Sequence, residues 1–353
     1  MNRLIIIQTA APTYRADFFS FLEKRMNKNF ILYSGKKYFQ PSVVSDKKIN
    51  YYAIKNVYFF KRSLLFQAGG LWKNLFSTDI IVLELNPRII SNWIFVVIRK
   101  VFKYKTFLWG HAWPQTGEKS WSEKIRNTMR ELSSGVIVYS EKQKKGLKKK
   151  SPKLKVFTAL NALYHEKTLI YKNSDNDEVK NIVYSGRLTK QKKVMKLLKA
   201  YADAIDLLDK KANLIIIGSG PLKQKALDFI NKNRLKDRVF LKGRIYDKNM
   251  LEKIYNTALC SISPGYVGLS IIQSFSFGVP MIVSKNENHS PEIDAVVENK
   301  NAVYEERSLT ETILKFFNNK DYWISRRAHI KRHSQKNYTI EKMAMPFFEI
   351  LKP

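Results

Sequence analysis

The chain is 353 residues long, 44% of them hydrophobic and 13% aromatic, and 63 Lys and Arg against 30 Asp and Glu give a formal net charge of +33. So apolar a composition excludes an intrinsically disordered chain, and a lone cysteine, Cys260, excludes both an internal disulfide and a cysteine-based zinc site, which fits a reducing compartment. The charge points to polyanions without distinguishing nucleic acid, an anionic membrane face or phosphorylated substrates.

In chain order, Leu4–Gln8 is an apolar run too short for a secretory signal and lacks a small-residue cleavage site, so it reads as a buried first strand. Further strands are predicted at Phe30–Tyr33, Ile80–Leu85, Thr106–Leu108, Val136–Tyr139 and Val156–Thr158. The stretch Phe59–Lys73 mixes aromatic and basic residues, as a helix packed on the first sheet or lying at a membrane surface would; Gly69-Gly70 interrupts the pattern and favours packing. The longest apolar stretch, Ile89 to Val101, is broken by Ser91, Asn92, Arg99 and Lys100 and falls short of the roughly 18 clean residues of a membrane span. A lysine run fills 142–155.

Between Asn161 and Lys180 the polar run Asn173–Glu178 reads as a domain linker, and its Asp175-Asn176-Asp177 as solvated loop rather than a metal-binding Asp-x-Asp. Beyond it the strand pattern resumes at Ile182–Tyr184, Leu214–Ile217, Val239–Leu241, Leu259–Ile262 and Met281–Val283. Short buried strands alternating with lysine-rich helical segments predict an α/β protein of two Rossmann-like domains facing a cleft, residues 1–165 and 166–335. The remainder, 336–353, carries an apolar stripe suited to a C-terminal helix that docks or oligomerises. Ligands of open α/β sheets sit at the carboxyl ends of the strands, so the chemistry is expected on the loops that follow them.

Four such loops stand out. After Ile182–Tyr184 comes Ser185-Gly186-Arg187-Leu188 and then Lys192; an arginine fork and a lysine point charge leaving one tight turn can neutralise a diphosphate, although a solvated basic helix start has the same composition. After Leu214–Ile217 comes Gly218-Ser219-Gly220-Pro221-Leu222, which lacks the third glycine of a dinucleotide fingerprint and gives NAD little support. After Val239–Leu241 comes Lys242-Gly243-Arg244-Ile245, whose backbone suits a nucleotide base. The most specific stretch is 263–280, where a strand feeds Gly265-Tyr266-Val267-Gly268 and a helix opens at Leu269–Ser270, offering its amides to phosphate, with Gln273 one turn in and Gly278-Val279-Pro280 at its end.

This ordered set, with Pro291-Glu292-Ile293, resembles the C-terminal domain of family 4 GT-B glycosyltransferases from about Ile182 to Glu292. The first half is similar only through Pro12-Thr13-Tyr14-Arg15 and Trp109-Gly110-His111. The resemblance implies an N-terminal acceptor domain, with Tyr14 and Arg15 at the acceptor, a C-terminal domain holding a nucleotide-diphosphate sugar, and a C-terminal helix that packs back on the first domain. It implies that Arg187 and Lys192 hold the diphosphate and Gly268, Leu269 and Ser270 cap it. Gly186, Gly218, Arg244, Ile245, Gly265, Tyr266 and Gln273 complete the donor site, and His111 hydrogen-bonds the donor sugar, unless it is a histidine packed beside Trp109 and Trp113. Gly265 and Gln273 stand where the family usually has a glutamate pair, and Lys193 stands where it has a glycine, which would add a phosphate contact.

Transfer is then expected with retention and without metal or cofactor, onto a glycan or lipid-diphosphate-linked acceptor of surface polysaccharide such as O-antigen or capsule, by a cytoplasmic enzyme peripheral to the inner membrane face. Two other classes compete: a nucleic-acid-binding protein, supported only by charge since no reading motif is present, and a sugar-nucleotide-binding protein without catalysis, motivated by Gly265.

Overall fold

In a computed structural model, residues 2–114, 117–118, 120–169 and 179–352 are described. The linker run and its Asp-x-Asp lie outside them. The chain divides into two units, Met1–His165 with Thr339–Pro353, and Glu166–Tyr338.

The first unit begins with β1 (Leu4–Gln8), α1 (Ala16–Met26), β2 (Phe30–Ser34), β3 (Tyr52–Ala53), β4 (Lys55–Phe59), β5 (Leu64–Ala68) and β6 (Ile80–Glu84). It continues through α2 (Ile90–Val101), β7 (Thr106–Trp109), α3 (Trp121–Leu132), β8 (Gly135–Val138), α4 (Glu141–Lys150) and β9 (Val156–Thr158). Among the described residues its main sheet is parallel, in the order β3-β2-β1-β6-β7-β8-β9. Strands such as Leu4-Ile5-Ile6-Ile7 and Ile80-Ile81-Val82-Leu83 are uninterrupted apolar runs because both faces are covered. One face packs on α1 and the other on α2, α3 and α4.

The expected helix over 59–73 is not there. Lys55–Phe59 and Leu64–Ala68 pair antiparallel, and only Gly70–Asn74 is helical, as a short 3-10 segment. The alternation of buried Leu65 and Gln67 with half-buried Leu64, Phe66 and Ala68 is the strand period, which the aromatic and basic composition had obscured. The hairpin turns through Phe60, Lys61 and Arg62, all left-handed with φ of 48, 52 and 68°. Such backbone costs a non-glycine residue about 1 kcal/mol or more. It is held by Arg62, whose guanidinium donates to the carbonyls of Tyr38 and Phe39 and stacks on Tyr58, and by Arg88, which donates to the carbonyls of Arg62 (2.6 Å) and Ser63 (2.7 Å).

The second unit contains β10 (Asn181–Ser185), α5 (Val194–Ala204), β11 (Leu214–Ile217), α6 (Lys223–Lys232), β12 (Val239–Gly243), α7 (Lys248–Asn256) and β13 (Ala258–Ser263). It ends with α8 (Ser270–Ser276), β14 (Met281–Val283), β15 (Ala302–Tyr304), α9 (Leu309–Asn318) and α10 (Lys320–Asn337). Its parallel sheet runs β12-β11-β10-β13-β14-β15, so β10 and β13, the strands that carry the two most informative loops, are neighbours.

The last helix, α11 (Ile340–Glu349), returns to the first unit. The segment expected as one helix over 336–353 is divided: α10 runs on to Asn337, and the Thr339 hydroxyl caps α11 by accepting from the Lys342 amide. Ile340, Met343, Ala344 and Phe347 are buried beside α1, with the Phe347 ring 5.2 Å from Phe18 and 5.0 Å from Trp109. The apolar stripe therefore serves docking within the chain.

Candidate active site

At the carboxyl edge of the second sheet, close backbone approach explains the glycines. A Cβ on Gly218, whose φ is 144°, would overlap the Gly186 carbonyl oxygen, and one on Gly220 would lie 2.6 Å from the Leu188 carbonyl oxygen. The Gly186 amide donates to Ile217 (2.9 Å) and the Gly218 amide to Gly243 (2.6 Å), so the turns after β10, β11 and β12 are joined side by side. Arg187 leaves this edge exposed, its carbonyl anchored by the Tyr184 hydroxyl at 3.0 Å. Arg244 is exposed and Ile245 half-buried on the β12 loop.

Lys192 ends a short 3-10 turn. Its ammonium donates to the Tyr266 carbonyl at 2.7 Å and lies 4.2 Å from the centre of the Tyr266 ring. Burial pushes the Lys192 ammonium down to about 8, Glu292 opposes that shift and Arg187 adds to it. A lysine held partly buried in this way is stabilised in its charged form by a nearby anion. The 263–270 loop is seated on this turn: the Tyr266 amide donates to the Gln191 carbonyl at 3.3 Å, and a Cβ on Gly265 would overlap that carbonyl oxygen and stand 3.0 Å from the Lys192 carbonyl carbon. Gly265 is therefore a packing residue, and no side chain at 265 fits this backbone.

Lys193 departs from the expectation of a further phosphate contact. Its backbone is left-handed (φ 50°), which accounts for glycine being usual there, and its ammonium pairs with Glu287. Gln273 is engaged through its amide oxygen, which accepts from the Ser185 hydroxyl at 2.6 Å. The α8 helix opens at Ser270, where the Ile271 amide already bonds the Gly268 carbonyl at 3.1 Å. Gly268, unlike Gly265, has room: a Cβ there would be 3.5 Å from the nearest side-chain atom.

Sequence reasoning missed what braces this loop. His289 accepts from the Val267 amide through Nδ1 (3.0 Å) and donates from Nε2 to the Ser284 carbonyl (2.8 Å), and burial lowers its pKa, so it works as the neutral ring. The Ser290 amide donates to the Val267 carbonyl at 3.1 Å, and the Tyr266 and Ser290 hydroxyls bond each other. No spacing signal marks a histidine that acts by tertiary contact.

At the carboxyl edge of the first sheet, His111 is exposed, its ring edge-on to Tyr139 at 5.0 Å rather than packed between Trp109 and Trp113. Tyr14 is also exposed. Arg15 is built into the unit: it stacks 4.7 Å over Trp109, donates to Asn161 (2.8 Å) and contacts the Met343 sulfur of α11. Glu84, which the sequence reading passed over as the end of an apolar strand, accepts from the Thr9 amide (2.5 Å) and hydroxyl (3.0 Å), and burial pushes its carboxyl up to about 7. Burial raises the Tyr38 and Tyr58 hydroxyl pKa values, and the charge of Glu84 adds to both shifts. Among the described residues no group of three or more His, Cys, Asp or Glu side chains is placed to hold a metal ion.

Residues 165–338 match the family model of glycosyl transferases group 1. That stretch is similar to the group 1 glycosyl transferases, and the chain has a GT-B fold. Similar solved structures extend over both units. HepE of Anabaena, in complex with UDP, is 13% identical with a TM-score of 0.72, covering 99% of each chain. Sucrose-phosphate synthase of Thermosynechococcus elongatus is 15% identical with a TM-score of 0.69, covering 99% of this chain and 98% of that one. The lipopolysaccharide outer core galactosyltransferase WaaB is 15% identical with a TM-score of 0.66, covering 99% and 100%. No curated protein sequence matches the chain. Identities this low show the glycosyltransferase fold and leave the side chains to be argued one by one.

Proposed function

We propose that this glycosyltransferase moves a sugar from a nucleotide diphosphate to a glycan acceptor with retention, using Arg187 and Lys192 where other enzymes use a metal ion. The observation that carries the reading is the half-buried Lys192 ammonium, held at 2.7 Å from the Tyr266 carbonyl beside the loop that opens α8 and lowered by burial to about 8. As the bond from the anomeric carbon to the phosphate oxygen breaks, negative charge grows on the leaving diphosphate, and two fixed cations stabilise that state more than the ground state. The acceptor hydroxyl attacks the same face and its proton passes to the departing phosphate oxygen. Gly268–Ser270 cap the diphosphate, Gly243–Ile245 take the base, Gln273 turns its amide to the ribose, and His111 bonds the donor sugar. HepE, whose structure holds UDP, makes uridine the first base to try.

The acceptor we assign is a glycan on a lipid diphosphate, made for surface polysaccharide at the cytoplasmic membrane face, because a net charge of +33 suits an anionic substrate on an anionic surface. Among the described residues no helix is long and apolar enough to cross a membrane, and the attachment we assign is peripheral. Calorimetry with UDP and GDP in the presence of a chelator tests the donor site. One nucleotide should bind, and Arg187→Ala should weaken it by about 10–100-fold, the value of a charge-assisted hydrogen bond. Absence of nucleotide binding together with salt-sensitive binding of RNA or DNA would overturn the reading. Binding without transfer to any acceptor would favour a sugar-nucleotide-binding protein, a reading that rests on Gly265 presenting no carboxylate to the sugar.

A further inference from the structure

The outer face of α2 is apolar where a helix on a parallel sheet is normally polar. Ile90, Val97 and Val101 follow one another at intervals of seven and four along that face, and Val101 is 73% exposed. At its end Phe102 (53% exposed) meets Phe76 (58% exposed) edge-to-face at 5.3 Å. This ledge is rigid. Arg99, fully buried on the opposite side of α2, donates to the carbonyls of Asn74 (3.0 Å), Ser77 (2.7 Å) and Asp79 (2.6 Å) in the loop that carries Phe76, and to Lys105 (3.1 Å) at the start of β7. At the other end of α2, Arg88 ties the β4–β5 hairpin tip, where Phe60 is 77% exposed, to the residues entering the helix.

Charge says what covers this face. Lys100, Lys103 and Lys105 are exposed around the Phe102 end. Between residues 51 and 114 the only acidic residues are Asp79 and Glu84, and both are committed inward, Asp79 to Arg3 (2.6 Å) and Ser77 (2.5 Å), Glu84 to Thr9. A second copy of the same face would bring lysines against lysines with no carboxylate to separate them. Nucleic acid could use the lysines and the rings of Phe76 and Phe102 but would leave the aliphatic row of Ile90, Val97 and Val101 in water. An anionic bilayer offers both headgroup phosphate for the lysines and a hydrocarbon boundary for the valines and phenylalanines.

We propose that the exposed face of α2, from the β4–β5 hairpin tip to Phe76 and Phe102, is the surface through which this protein lies on anionic membrane, with side chains entering the interface. This deepens, and rests on, the reading of a membrane-borne acceptor. It goes beyond attachment by net charge, because it names the face and makes part of the binding insensitive to salt.

The test uses the full chain and vesicles of phosphatidylglycerol with phosphatidylcholine, against pure phosphatidylcholine, at low and high salt, with UDP and GDP calorimetry run on each variant. The wild type should bind the anionic vesicles. Lys100→Gln/Lys103→Gln/Lys105→Gln should lose about a hundredfold at low salt, at about 1 kcal/mol for each lysine. Val101→Ser/Phe102→Ser should lose about tenfold and keep that loss at high salt, where screening leaves the apolar contribution. Wild-type partitioning of the serine double variant overturns the proposal, as does a dimer that this variant converts to monomer without any vesicle effect. UDP or GDP binding retained while the vesicle result fails refutes the surface alone; binding of neither nucleotide by the wild type refutes the donor-site reading, and with it the membrane-borne acceptor on which this surface rests.

Discussion

Lys192 is the residue on which pH dependence should turn. Its folded pKa, about 8, lies below the ordinary lysine value of 10.5, so the folded state releases this proton more easily than the unfolded chain. Stability from this group therefore rises with pH between about 8 and 10.5, while a diphosphate needs the charged form. UDP affinity should fall as pH rises through 8 and beyond, and titrations near pH 8 in buffers of different ionisation enthalpy should show net proton uptake that Lys192→Met abolishes. Gly265 gives a steric contrast. Gly265→Ala or Gly265→Glu should lower stability by about 1–3 kcal/mol through collision with the Gln191 carbonyl, whereas Gly268→Ala should be close to neutral; thermal denaturation separates them. Putting back the glutamate usual in related enzymes should thus cost stability without adding activity. The turn glycines Gly218 and Gly220 were legible in the sequence because short turns at the ends of neighbouring parallel strands leave no room for a Cβ. His289 and Glu84 were not, since each acts through partners far away in the chain.

At the scale of elements, buried strands were the most legible feature. Leu4–Gln8, Leu214–Ile217 and Met281–Val283 coincide with β1, β11 and β14, because a run of four or five large aliphatics bounded by turn residues has no other use in a parallel sheet. The hairpin at 55–68 was misread for the converse reason: its faces are only half buried, and its turn uses three left-handed residues without a glycine to announce it. The third element that matters is α2. Arg99→Met should destabilise the chain by at least about 3 kcal/mol, since it strips a buried donor from several carbonyls at once, and a lowered denaturation midpoint with unchanged UDP affinity would confirm a purely structural role.

At the scale of the whole chain, α11 makes the last residues part of the first core. Deleting 339–353 removes Ile340, Met343, Ala344 and Phe347 from a cluster that includes Phe18 and Trp109, and each large buried side chain contributes about 1.5–3 kcal/mol. The truncated protein should lose cooperative unfolding of the first unit while the second, which has its own core, still melts as a unit; calorimetry would resolve the two.

The sequence by itself determined the α/β class, the two Rossmann-like halves, the order of the strands along the chain and the loops that carry cations and glycines, because these follow from periodicity and turn chemistry within a few neighbours. Tertiary structure alone decided that Gly265 is seated on the Lys192 turn, that Lys193 is turned away to Glu287 and that Arg15 braces α11. It also decided that the apolar residues of α2 face outward beside lysines. Each of these depends on which distant segments meet, and a side chain's charge or size does not encode its partner until the chain has closed around it.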